Sequence, residues 1–416
     1  MVLPLTQLFS AAEVASYWDT LPQTEAPYLG PELWPAQKQL GTKMKWVKGA
    51  QGGPVALRLS NFDTNAIPRD FKGFTRKQMD MAYYKEGWYI DEEQRQQLLL
   101  LMSGNNQAYL DMVTQHVYDQ PASLIRGGLL ASEIARMQAL TTGMIHVAGN
   151  GSAYDIDFGV PANHKTGAAV AWDDPDNAKP FDDFKRAKDT IAKDTGTTIT
   201  RVVMNQATFD KLTATKQIQE RLKPVGAGST YPVLDEEVTS FLQNKLKVQI
   251  AIYDKFYNDV SGALHRFIPD DTVVFLPAMA LGKTGYGTTP AEADLMAGQT
   301  DVTKVSVVET GISILETVKS DPVQIGGIVS QLTMPSFEAA DKVYIMDVSK
   351  GTASSVTTNG SSTSTTTPTD GFDVKGDTKP TDSNTVAEIT GWLDAHSIDH
   401  SGKTAKADLL ALVPAE

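Results

Sequence analysis

The chain has 416 residues, 41% of them hydrophobic, a net charge of -13 and no cysteine. That is enough apolar material for more than one compact unit. The acidic balance argues against bulk binding of nucleic acid or anionic lipid, which need excess Lys and Arg, and the missing cysteine excludes disulfides, thiolate zinc sites and a cysteine nucleophile.

The N-terminal stretch "MVLPLTQLFSAAEVASYW" has no basic region and carries Glu13 among its apolar residues, unlike a signal peptide. Its spacing predicts a short helix over Leu5 to Tyr17. Pro22, Pro27, Pro31 and Pro35 then predict an extended path, as in an arm. Between Lys43 and Lys77 stand eight Lys or Arg against two acids, Asp63 and Asp70, in a chain that is otherwise acidic. Within this segment "VALRLS" alternates like a strand, and a second strand is expected over Met79 to Ile90, giving a long hairpin with a Gly/Pro-interrupted tip.

From Asp91 the chain turns to good helix formers with apolar residues three and four apart. Breaks are expected near Ser103 to Asn105, at Pro121 and at Gly127 and Gly128. The longest apolar run there, Leu98 to Met102, is far too short to span a bilayer. A soluble protein made in the cytoplasm, with no membrane partner, is expected.

Beyond Met144, strand-like pieces lead into clearer punctuation. Phe184, Ala187 and Ile191 share a helical face that stops at Gly196. "TITRVVMN" reads as a buried strand, and "NQATFDKLTATKQIQERL" as one helix capped by Asn205. A helix over Asp235 to Asn244 precedes the strand "VQIAIYD". "ALHRFIPDDTVVFLP" gives strands around a turn, and 302–318 and 323–347 alternate like strands. The expected class is α+β, because no regular βαβ rhythm is present.

Residues 349–383 are almost entirely Ser, Thr, Gly, Asp and Pro, a composition that buries too little to order itself. After them, Thr385 and Glu388 read as a capping box, Ile389 and Leu393 share a face, and Leu409, Leu410 and Val413 supply a second one.

Chemical motifs are weak. "SGKT" at Ser401 to Thr404 has Ser397 where a phosphate loop needs its first glycine, and "LGKTGYG" has Pro277 there. The calcium-like Asp174, Asp176 and Asn177 are followed by Lys179 and Lys185 at positions that demand glycine and an acid. Among the six histidines only His396 and His400 are close in sequence, across an expected loop. No catalytic, cofactor or metal residue is predicted.

Several stretches together resemble the major capsid proteins of tailed bacteriophages, the family of the phage lambda capsid protein E. They are "NFDTNAIPRDFKGFTRKQMDMAYYKEGWYIDEEQRQQL", "TRVVMNQATFDKL", and "VQIAIYDKFYNDVSGALHRFIPDDTVVFLP" followed by "LGKTGYGTTPAEA". The resemblance implies the tailed-phage capsid fold, with an N-terminal arm (1–40), an extended loop or E-loop (41–90), a spine helix and P-domain (91–181), an A-domain (182–285) and P-domain return strands (286–348). A linker (349–383) and an all-α module (384–416) follow, the latter resembling the helix-extended-loop-helix units of some phage structural proteins.

It also implies that the basic loop lies over a neighbouring copy, with Lys48, Arg58, Arg69, Lys72 and Arg76 meeting acidic surface. The expected partners are further copies in pentamers and hexamers, a scaffolding protein and a portal, with packaged DNA met only by non-specific proximity. The expected role is an icosahedral head shell, as part of the virion. A soluble enzyme and a nucleic-acid-binding adaptor acting through the C-terminal module are the competing readings.

Overall fold

Ser10 sets the start of helix α1 (Ala11–Thr20): its Oγ accepts from the Glu13 backbone N–H at 3.4 Å. The helix therefore begins after the expected Leu5 and runs three residues past Tyr17. The computed structural model describes residues 9–22, 27–48, 75–103, 107–149, 152–223, 233–351, 389, 393 and 406–412, so Leu5 itself lies outside the described residues. The chain forms two units, Met1–Thr358 and Asn359–Glu416.

The proline-rich stretch is not simply extended. Pro31 stands in the first turn of a short helix, α2 (Gly30–Leu33), where its fixed φ fits and its missing N–H costs no bond. Strand β1 (Ala36–Lys38) follows, then the hairpin of β2 (Lys43–Lys48) and β3 (Thr75–Asp80). The strand expected over Met79 to Ile90 divides at Met81, whose N–H donates to Thr42 O. Its remainder, β4 (Ala82–Ile90), leaves the hairpin and joins a different sheet. "VALRLS" lies outside the described residues.

Helix α3 (Glu92–Ser103) precedes α4 (Gln107–Thr142), a helix of 36 residues that is about 54 Å long. It runs through Pro121, Gly127 and Gly128, against the expectation of breaks. Burial overrides local propensity: Ala122, Ile125, Ala135, Met137, Ala139 and Leu140 are all buried along it. Gly128 is a packing device, since a Cβ there would lie 3.2 Å from Gln331 Oε1 and 3.3 Å from Ile312 Cδ1.

Next come the hairpin β5 (Met144–Gly149) and β6 (Ser152–Asp157), β7 (Lys165–Ala168), α5 (Pro180–Thr195) and β8 (Ile199–Met204). Gly196 ends α5 in the left-handed region, at φ 70°. Asn205 caps α6 (Gln206–Ala214) by accepting from Thr208 N–H at 2.8 Å. The single helix expected here is two, because buried Thr215 is extended and turns its hydroxyl back to Leu212 O before α7 (Lys216–Leu222) begins. Helix α8 (Asp235–Leu246) leads to β9 (Gln249–Ile252), the hairpin β10 (Phe256–Asn258) and β11 (Leu264–Arg266), and β12 (Thr272–Pro277). The chain continues through β13 (Thr284–Tyr286), α9 (Pro290–Met296), β14 (Val305–Val308), β15 (Ile312–Ser320), β16 (Val323–Pro335) and β17 (Tyr344–Gly351).

Two mixed sheets organise the larger unit. One has the order β1-β13-β16-β15-β14, with β4 also paired to β16; the other runs β7-β17-β12-β8-β9. Strand β16 carries β4 on one edge and, end to end along the other, β15 and β13. One core cluster gathers Trp34, Met137, Leu140, Leu276 and Phe337; a second packs α5, α6 and α8 on the five-stranded sheet through Phe184, Ile191, Phe209 and Leu242. A third sets Phe9 and Val14 against Trp88, Ile125 and Ile314.

In the smaller unit, Ile389, Leu393 and Leu409 form a buried cluster, with Leu410 and Leu412 packed on it, and Lys406–Leu410 is a short helix, α10. The expected apolar faces thus meet, while Thr385, Glu388 and Val413 lie outside the described residues.

Candidate inter-subunit surfaces

The β2–β3 hairpin has six rungs, from Lys43↔Asp80 to Lys48↔Thr75. Alternation gives it two unlike faces. Met44 and Trp46 are buried, whereas Lys43, Lys45, Gln78 and Asp80 are exposed. The root is seated on its own subunit: a Cβ on Gly285 would come within 2.9 Å of Met44 Sδ, so glycine in β13 makes room for the hairpin. Lys43 Nζ stands 3.7 Å from Asp80 across the rungs, an exposed pair of little energetic weight.

The structure places Lys48 and Arg76 on adjacent rungs at the outer end of the hairpin, Lys48 opposite Thr75 and Arg76 opposite Val47. Their backbones are brought together, while their side chains, and all of Arg58, Arg69 and Lys72, lie outside the described residues.

Behind the hairpin a buried polar network joins four stretches of chain. Glu133 and Arg136 of α4 are buried and paired at 3.2 Å. Glu133 Oε1 accepts from Gly30 N–H at 3.0 Å and from the Tyr253 hydroxyl at 2.9 Å. Arg136 donates to Thr284 Oγ1 at 2.9 Å and to the Tyr286 hydroxyl at 3.0 Å. Burial, with the Glu133 carboxylate beside it, pushes the Tyr253 phenol above its ordinary range. A Cβ on Gly30 would lie 2.1 Å from Glu133 Oε2, so the arm passes where only glycine fits. Sequence reading missed this network; its signal was a pair of opposite charges three apart on an otherwise apolar stretch, "LLASEIARMQAL".

Several large apolar side chains are exposed singly on this subunit. Tyr89, Leu100, Val260, Leu264 and Met296 are all exposed. Val260 stands on an ordered hairpin tip: Asp259 Oδ1 accepts from the N–H groups of Ser261 and Ala263 and from the Ser261 hydroxyl at 2.6–2.9 Å. Those bonds, with His265 on the other oxygen, hold the Asp259 carboxyl well below the usual carboxylate range.

The residues weighed for metal binding do not form a centre. Asp174 accepts from Asn177 in a local turn, and His146, His164 and His265 each pair with one carboxylate. Among the described residues no group of three or more His, Cys, Asp or Glu is placed to hold a metal ion, and no described helix is long and apolar enough to cross a membrane.

A family model described as phage major capsid protein E matches residues 10–311. The chain belongs to that family. This capsid subunit is therefore a virion structural protein that assembles into a shell. Its fold is that of tailed-phage capsid proteins: a structure described as a prophage capsid protein of Escherichia coli CFT073 matches at a TM-score of 0.52 and 16% identity, over 81% of this chain and 98% of that one. A phage-related protein from Bordetella bronchiseptica RB50 gives 0.46 and 13%, over 82% and 97%. The cyanophage A-1(L) capsid gives 0.42 and 14%, over 79% and 95%. The Ser/Thr-rich stretch and the small C-terminal unit lie beyond the family match.

Proposed function

We propose that the basic segment of one capsid subunit lies on acidic surface of the next, and that this contact drives closure of an icosahedral head around double-stranded DNA. The observation that carries the reading is the hairpin, whose root is packed on its own subunit while its outer end leads into the segment bearing Arg58, Arg69 and Lys72. A head-to-tail contact of this kind generates rings and, in register, pentamers and hexamers. In this reading residues 1–40 act as the arm, 41–90 as the E-loop, 91–181 and 286–348 as the spine helix and P-domain, and 182–285 as the A-domain. A scaffolding protein and a portal guide assembly in the host cytoplasm, DNA is met only through non-specific proximity, and the work of the protein is assembly without turnover.

The test is the triple reversal Arg58→Glu, Arg69→Glu and Arg76→Glu. Exposed charges contribute little to a subunit's own stability, so the soluble subunit should keep its melting temperature, whereas like charges brought together across an interface should abolish shells. Sedimentation and negative-stain microscopy read the outcome; shells of normal size and yield from the triple variant would overturn the contact.

A further inference from the structure

A cavity of about 380 Å³ opens where the end of β4 meets the start of α3 and the middle of α4, lined by Gly87, Trp88, Tyr89, Asp91, Gln94, Gln120 and Leu124. We infer that it is the acceptor on this subunit for an arginine or lysine side chain from the basic segment of a second copy. This rests on the inter-subunit reading of that segment and names the surface it meets.

The chemistry of the walls selects a cation. Asp91 uses Oδ1 to accept from Gln94 N–H at 2.8 Å, fixing the carboxylate at the mouth of α3. Its second oxygen, the Gln120 amide and the Tyr89 hydroxyl have no hydrogen-bond partner among the described residues. Tyr89 is 62% exposed, so its ring offers an aromatic face at the rim. Half-buried Leu124 gives apolar wall for the methylene stem. A carboxylate, two side-chain amides and an aromatic ring around an apolar wall form a site for a guanidinium or ammonium, through charge-assisted hydrogen bonds and a cation–π contact.

Charge and reach favour the second copy's basic segment as the occupant. Glu92, Glu93 and Asp119, next in sequence to the lining residues, are exposed, and they outnumber the exposed cations Lys85 and Arg126 on the same elements. The segment between the outer rungs of the hairpin has 26 residues, so a doubled-back path would have a reach of at most about 45 Å, enough to carry Arg58 or Arg69 to a second copy.

Because the chain has no cysteine, a disulfide trap reads this contact without background. Gln120→Cys is combined in one chain with Arg58→Cys, Arg69→Cys or Lys72→Cys, and assembled shells are oxidised and run on a denaturing gel without reductant. At least one pair should give a ladder of linked multimers; bands at monomer mass for all three pairs, whether unlinked or closed within one chain, would overturn the inference. Gln120→Arg is the companion variant, lowering shell yield by about tenfold or more through repulsion while the soluble subunit melts normally. Wild-type yield from Gln120→Arg would also overturn it. If the triple reversal blocks shells but these variants behave as wild type, the acceptor assignment fails and the basic-segment contact stands.

Discussion

Glu133 is buried within an ion pair and holds two further donors, so removing its charge strands Arg136 in the core. Breaking a buried pair from one side commonly costs about 3–5 kcal/mol, and Glu133→Gln should lower stability by that order in urea unfolding of the soluble subunit. Gly30→Ala should destabilise by about 2 kcal/mol or more for a different reason, the overlap of its Cβ with the same carboxylate. Three tyrosines set an alkaline limit. Burial pushes Tyr84 and Tyr118 up to about 12, and Tyr253 is also raised. Folded and unfolded chains are both protonated at these sites below pH 10, so stability is unchanged there. Above the ordinary tyrosine value of 10.0 the unfolded chain releases protons that the native chain keeps, and stability falls as pH rises toward about 12. Melting temperatures of the unassembled subunit between pH 8 and pH 11.5, chosen to bracket the ordinary tyrosine value of about 10, should be flat and then decline.

At the scale of elements, the two glycines of α4 make opposite predictions. A Cβ at Gly127 meets nothing within 4 Å, so Gly127→Ala should stabilise by about 0.5–1 kcal/mol through helix propensity alone. A Cβ at Gly128 would already press on Gln331 and Ile312 at 3.2 and 3.3 Å, closer than ordinary van der Waals contact, so Gly128→Leu should force the helix off the sheet and lower the melting temperature. The same helix explains what was legible in the sequence. Caps written in one residue, Asn205 and Gly196, were readable because their bonds are local. The continuity of α4 through Pro121 and the division of β4 from its hairpin at Met81 were not, because both follow from surfaces supplied by distant strands. The basic segment stood out by charge alone, yet the cavity lined by Tyr89, Asp91 and Gln120 could not be read, since its walls come from three elements.

For the whole molecule, we propose that the C-terminal extension is dispensable for the shell. Its Ser/Thr-rich stretch would cost about 1–2 kcal/mol of backbone entropy per ordered residue with little apolar burial in return. Strand β17 runs to Gly351, which stands opposite Ala168, so a stop codon after Thr358 leaves the sheet whole. Shells of unchanged diameter are expected from that truncation in cryo-electron microscopy. We further propose that the module decorates the outer surface: protease added to intact, DNA-filled particles should release it, and full protection of the linker in closed shells would place it inside.

The junction at Met81 has a mechanical consequence. The hairpin is continuous through that residue with β4, and β4 is zipped antiparallel to β16 over nine rungs, from Ala82↔Thr333 to Ile90↔Ile325. A neighbour that tugs on the hairpin along the strand axis therefore loads all nine rungs in shear together, and none can peel ahead of the others. In the proposed head-to-tail contact, tension entering at the hairpin root would pass to the central strand of the larger sheet.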